Sequence, residues 1–166
     1  MRAPLILVLA ISSALCAGCG KAKVWTPFTT PDGKVSVVFP GPPKQQNSSA
    51  NGLNLVNHVC EFRNEAYLFS QTDLPAGAAF DSQAGLNAMV AKFNGKIITQ
   101  SPITVNGQTG TAYELEVKSP AVGFATGRMF KVKDRLYQML VLGTNCRAMN
   151  PDVVKFLGSL DLSKAN

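Results

Sequence analysis

The chain is expected to fold as one α+β domain, an antiparallel β-sheet with helices packed on it. Three observations predict this. Short runs rich in Val, Ile, Tyr and Phe are separated by brief turn signals such as Pro31-Asp32-Gly33 and Asn106-Gly107, the punctuation of hairpins rather than of parallel crossovers. Two segments carry apolar residues at helical spacing: Leu86, Met89, Val90 and Phe93, then Val153, Phe156, Leu157 and Leu160. The run Tyr137-Gln138-Met139-Leu140-Val141-Leu142 is apolar on both faces, as a central strand covered from both sides must be.

In chain order, residues 25–28 and 34–39 read as strands around the Pro-Asp-Gly turn. Residues 40–52 open with Pro40-Gly41-Pro42-Pro43, close with Asn51-Gly52, and read as a long polar loop of low strand propensity. Residues 53–62 and 66–72 pair as a hairpin around Arg63-Asn64-Glu65. Asp81 is placed to cap a helix that ends at Asn94-Gly95. Residues 97–105 and 108–117 form a hairpin about Asn106-Gly107, which accepts the positive φ values of a tight turn. In its second strand Tyr113, Leu115 and Val117 point one way and Glu114 and Glu116 the other, so the glutamates are expected on a polar face. Residues 124–132 and 136–142 make a last hairpin around Lys133-Asp134, and Asn150-Pro151 opens the final helix.

The opening Trp25-x-x-Phe28, the stretch Asp32-Gly33-Lys34-Val35-Ser36-Val37-Val38-Phe39-Pro40-Gly41-x-Pro43, the strand Arg135-Leu136-Tyr137-Gln138 and the ending Phe156-Leu157-Gly158-Ser159-Leu160 resemble the PsbP-like and DcrB-like group of exported bacterial proteins and lipoproteins. The resemblance covers most of the chain after the leader. It implies an α/β/α sandwich around an antiparallel sheet, a fold that hosts photosystem-assembly subunits and partner-binding proteins. It carries over no catalytic residue, and fold alone does not give function.

The first twenty residues stand apart. Arg2 is the only charge before an apolar run from Pro4 to Ile11, and small residues follow to Leu15-Cys16-Ala17-Gly18-Cys19-Gly20. A positive start, a short apolar middle and a small-residue cleavage site make a secretory signal peptide. Ala17-Gly18 ahead of Cys19 resemble the bacterial lipobox, with Cys16 where Leu is usual. The expected organisation is a lipoprotein-type signal over 1–18, Cys19 as the acylated (palmitate-bearing) new N-terminus, a short tether over 19–24 and a single domain over 25–166. Cleavage to a soluble protein and an uncleaved anchor are the alternatives, since residues 3–20 carry no charge and about 18 apolar residues is the lower edge for a span. Gly20, not Asp, follows Cys19. By the enterobacterial sorting rule this favours the periplasmic side of the outer membrane in a diderm host.

With 166 residues, 46% of them hydrophobic and 16% charged, the chain has one domain's worth of core. Losing Arg2 with the signal lowers the formal charge from +6 to +5, a weak, diffuse balance that suits an anionic envelope surface and, with export, argues against nucleic acid. Cys16 and Cys19 spell C-x-x-C inside the leader, where neither a redox pair nor a metal site is expected. There is one histidine, His58, and no G-x-S-x-G, so hydrolase chemistry has little to build on. His58 and Cys60 share a strand face, which leaves a thiol centre as the enzymatic alternative. A metal there would have Cys146 as its next soft ligand, short of the four that structural zinc wants; no metal and no cofactor are expected. Cys60 and Cys146, the cysteines left after acylation of Cys19, are open to two readings: a disulfide favoured by an oxidising compartment, or two separate buried thiols. Arg128, Lys131, Lys133 and Arg135 cluster on the last hairpin, as a contact for anionic groups or as ordinary solvated charges. The resulting expectation is a membrane-anchored, non-enzymatic binding module for a protein partner or small envelope ligand. Loops 40–52 and 118–123 are its first contact surface and the basic hairpin its second.

The mature protein is expected to begin at Cys19 and to carry acyl chains. Intact mass of the membrane-extracted protein checks this; a mature form starting elsewhere, or a Cys19→Ser variant that still partitions fully into membranes, would contradict it.

Overall fold

The computed structural model describes residues 22–50 and 52–165. The chain forms, in order, β1 (Thr26–Thr29), β2 (Ser36–Phe39), β3 (Lys44–Ala50), β4 (Leu53–Phe62), β5 (Glu65–Asp73), α1 (Ser82–Phe93), β6 (Lys96–Val105), β7 (Gln108–Val117), β8 (Gly123–Val132), β9 (Arg135–Gly143) and α2 (Pro151–Gly158). β1 and β2 make a small antiparallel pair, and the other seven strands form one antiparallel sheet in the order β3-β4-β5-β9-β8-β7-β6. The strand with no polar face, β9, is therefore the middle one.

Alternation along β9 feeds two cores. Tyr137, Met139 and Val141 join a buried cluster with Phe39, Tyr67, Phe69, Val153, Phe156 and Leu157. Leu136 and Leu140 join another with Leu68, Leu86, Met89, Phe93, Leu115 and Met129. Thus β2 and α2 supply one cluster and α1 the other. Each fully buried Leu or Phe contributes about 1.5–3 kcal/mol, so neither face can be left wet.

The helix ends follow local chemistry. The Asp81 carboxylate accepts from Gln83 N at 2.9 Å and Ala84 N at 3.2 Å, and Asn94 closes α1 in the left-handed region at φ 47°. Asn150 Oδ1 accepts from Asp152 N at 2.9 Å, and Pro151 begins α2 without a donor to lose. Leu160 lies beyond α2 yet stays buried.

Two expectations are corrected. Residues 44–50, read as loop, form edge strand β3, paired residue for residue with β4 from Lys44↔Val59 to Ala50↔Leu53. Their composition, Lys-Gln-Gln-Asn-Ser-Ser-Ala, carries no apolar alternation because the strand is an exposed edge with no core face to fill; the free side of β4 orders it. Glu114, assigned to a polar face, is 4% exposed, because that face is covered as well.

Antiparallel pairing sorts the connections to two ends of the sheet. Turn 63–64, the α1–β6 junction, loop 118–122 and loop 144–150 lie at the end where Lys23 enters. Segment 74–81 and turns 106–107 and 133–134 lie at the other. Strands of up to 10 residues separate these ends by about 33 Å.

Tyr113 reaches across Gly127, and its hydroxyl accepts a hydrogen bond from Gln138 Nε2 at 2.9 Å. A Cβ on Gly127 would collide with the Tyr113 hydroxyl and with the Met139 carbonyl. Gly127→Ala is expected to cost about 1–3 kcal/mol of stability, as overpacking of a tight core does. Urea unfolding checks this, and an unchanged midpoint would contradict it.

Candidate functional site

The best-organised polar constellation lies where the chain enters the domain. Lys23 Nζ donates to Glu65 Oε2 at 2.6 Å, to Asp152 Oδ2 at 2.6 Å and to the Tyr67 hydroxyl at 2.8 Å. It also sits 5.1 Å from the ring centroids of both Phe62 and Tyr67, within cation–π range. The Tyr67 hydroxyl donates in turn to Glu65 Oε2 at 2.6 Å. Only 14% of the Lys23 side chain is exposed. Burial alone would lower its pKa; the hydrogen bonds to Asp152 and Glu65, with their charges, outweigh that and raise it. Trp25 continues the hold, edge-on to Tyr67 and with Lys155 Nζ 4.5 Å from its ring. Lys23, read from sequence as tether, is thus part of the fixed domain.

Beside this clamp is a cleft of about 500 Å³ lined by Lys23, Phe62, Arg63, Asn64, Glu65, Thr144, Asn145 and Asp152. The β4–β5 turn supplies Arg63 and Asn64, Arg63 itself at φ 55°, and the loop after β9 supplies Thr144 and Asn145. These are hydrogen-bonding groups suited to holding a polar group. Glu65 and Asp152 are both committed to Lys23, so they do not form a free acid–base pair.

The sequence-nominated residues fall elsewhere. Cys19 lies outside the described residues. His58 is 3% exposed, 4.3 Å centroid to centroid from Phe28 and 6.3 Å from Phe69, and burial pushes its pKa down. Cys60 and Cys146 are buried, free thiols, so of the two readings left open the structure carries separate thiols rather than a disulfide. Each fills a space beside its own glycine: a Cβ on Gly41 would lie 3.3 Å from Cys60 Sγ, and one on Gly143 2.9 Å from Cys146 Sγ. Burial, then the charge of Glu61, pushes the Cys60 thiol up; burial, then Glu65, pushes Cys146 up to about 12. Among the described residues no group of three or more His, Cys, Asp or Glu is arranged to hold a metal.

The basic hairpin divides. Arg128 is half-buried and donates through Nη1 to the Leu157 carbonyl at 2.8 Å, satisfying the last turn of α2. Arg135 bonds Asp32 through Nη1 at 2.6 Å and Asp73 through Nε, tying the β1–β2 turn to the ends of β5 and β9. Lys131 and Lys133 remain, Lys133 exposed at the tip at φ 51°. Four basic residues close in sequence therefore do not make one patch, because alternate strand positions face opposite ways. Sequence reasoning also missed the ion pair between buried Glu114 and exposed Arg147, whose Nε lies 2.6 Å from Oε1, while Oε2 accepts from Ala148 N at 2.7 Å. Among the described residues no helix is long and apolar enough to cross a membrane.

No family model and no curated protein matches the chain. Among solved structures, the solution structure of cyanobacterial PsbP (CyanoP) from Synechocystis sp. PCC 6803 aligns with a TM-score of 0.60 at 14% identity, covering 89% of this chain and 96% of that one. The fold is PsbP-like. A protein of unknown function from Pseudomonas aeruginosa, PA94, aligns at 11% identity with a TM-score of 0.38 over 78% of this chain and 85% of its own. At these identities the PsbP-like likeness speaks to architecture and leaves the role to the residues.

Lys23→Met should lower stability by about 1.5–3 kcal/mol, the range for hydrogen bonds to charged groups. Because the folded pKa of Lys23 is raised, its contribution is fully present below the unfolded lysine value of about 10.4 and disappears as pH rises through the folded value. Denaturation midpoints of the two proteins should differ at neutral pH and converge only in strong alkali; equal midpoints at pH 7 would contradict the clamp.

Proposed function

We propose that this chain is a cell-envelope lipoprotein, held to the membrane by acyl chains on Cys19, whose domain acts as a non-enzymatic binding module. In a diderm host it sits on the periplasmic face of the outer membrane. The observation that carries the reading is the fixed entry of the chain at Lys23, four residues after the lipobox cysteine. A domain gripped so close to its anchor is suited to presenting surface rather than to roaming on a linker. The two buried clusters, one with α1 and one with β2 and α2, support reading the domain as the three-layer α/β/α sandwich of PsbP-like proteins, a rigid platform for exposed edges and loops.

The rival, a His58/Cys60 thiol enzyme, needs a thiolate stabilised by an imidazolium. Burial moves both groups the other way, the thiol up and the imidazole down. The partner-binding surface is the polar edge β3, within the 40–52 stretch, where Lys44, Gln45, Gln46 and Asn47 are exposed. An edge strand offers unpaired backbone groups that a partner's extended segment can meet.

Complementation of a deletion strain separates the readings. His58→Phe should restore the phenotype fully, while Gln45→Ala/Gln46→Ala/Asn47→Ala should fail although folded and localised. The reverse pattern, loss with His58→Phe and full activity of the edge variant, would overturn the binding-module reading.

A further inference from the structure

The exposed apolar side chains are not scattered. Among the described residues the large hydrophobic side chains left in solvent are Val24 at 71% exposure, Val122 at 75%, Met149 at 89% and Val154 at 54%. Val24 follows the Lys23 clamp, Val122 sits in the β7–β8 loop and Met149 in the β9–α2 loop. Those three share one end of the sheet, the end where the chain enters. Single exposed hydrophobes are ordinary; several gathered at one end point to a surface that meets something apolar.

Charge sorts the same way. At the Lys23 end, Glu65, Asp152, Glu114 and Glu116 are taken up in ion pairs, with Lys23, Arg147 and Lys96, whereas Arg63 and Lys118, opposed by Glu61 alone, are exposed and make no ion pair among the described residues. The opposite end carries Asp32, Asp73, Asp81, Asp134 and Asp161 against Lys34, Lys131, Lys133, Arg135 and Lys164, with Arg135 paired to Asp32 and Asp73. An anionic surface would attract the first end more than the second, where the two signs balance.

Reach decides the occupant. From Cys19 to Lys23 the chain spans at most about 14 Å when fully extended, and the clamp removes any further slack. The far end of the sheet lies about 33 Å beyond. We infer that the end bearing Val24, Val122 and Met149 rests in the headgroup layer of the bilayer that holds the Cys19 acyl chains, with Arg63 and Lys118 against anionic headgroups and the Arg135 end turned away. The inference deepens the anchoring reading and rests on it. It also removes the 118–123 loop from the partner surface, and it keeps Lys131 and Lys133, at the far end, off the protein's own membrane.

The one tryptophan of the chain, Trp25, is a native reporter at this end. The mature acylated protein is reconstituted into vesicles containing an anionic phospholipid, with and without brominated acyl chains, after flotation has shown that it is bound. Trp25 fluorescence should be quenched by the brominated lipid. Val122→Asp/Met149→Asp should float as well as the unaltered protein, keep its circular dichroism, and lose most of the quenching. A Trp25→Phe/Lys133→Trp protein, with its indole at the far end, should show none. Bound protein whose Trp25 is unquenched, or equal quenching at the two ends, would overturn the orientation while leaving the anchoring reading intact. Failure of the mature protein to float would overturn both.

Discussion

β9 has no side that tolerates water. Tyr137 is 2% exposed, Met139 1%, Leu140 1% and Val141 0%, so the strand must be flanked by neighbours and covered above and below. Most of the architecture follows from that constraint. Hairpin partners β8 and β5 take its two edges, α1 contributes to the cluster on one face, and β2 with α2 to that on the other. Covering both faces sends the connections to the two ends, and so creates ends with separate characters.

The same constraint explains which polar groups are spent inside. Gln138, on the α1 side of β9, is buried and finds Tyr113 and Met89 Sδ. Glu114, on the α2 side of β7, finds Arg147 and a backbone amide. Arg128 satisfies the Leu157 carbonyl. Buried polar groups cost free energy unless partnered, and these three meet elements that reach over them. Lys23 is the extreme case. Two carboxylates and the rings of Phe62 and Tyr67, the latter with its hydroxyl, converge on one ammonium brought in by the N-terminal segment, and this makes the chain's entry point a fixed feature.

Local chemistry was legible in the sequence and long-range chemistry was not. Asn106-Gly107, Asp81 and Asn150 announce a turn and two caps because the backbone they satisfy lies within three residues of them. The two-faced run in β9 correctly placed it at the centre. β3 was illegible because its order comes from pairing with β4, not from its own polar composition. The orientation of Glu114 was read correctly from alternation, but its burial was not, although the two-sided run of β9 already implied that both faces were covered. The clamp joins residues 42 and 129 positions apart, and no spacing rule links such positions. The basic hairpin does not form the single patch its sequence suggests, because proximity along a strand is not proximity on a surface.

A fixed presentation of the domain at its anchor requires a chain that is rigid from Lys23 onward. Backbone ¹⁵N relaxation of the mature protein in a detergent micelle measures this directly at the amides of Val24 and Trp25. The clamp predicts order parameters near 0.85, those of a rigid backbone, and values below about 0.6 at both amides would mean a flexible lead and contradict it.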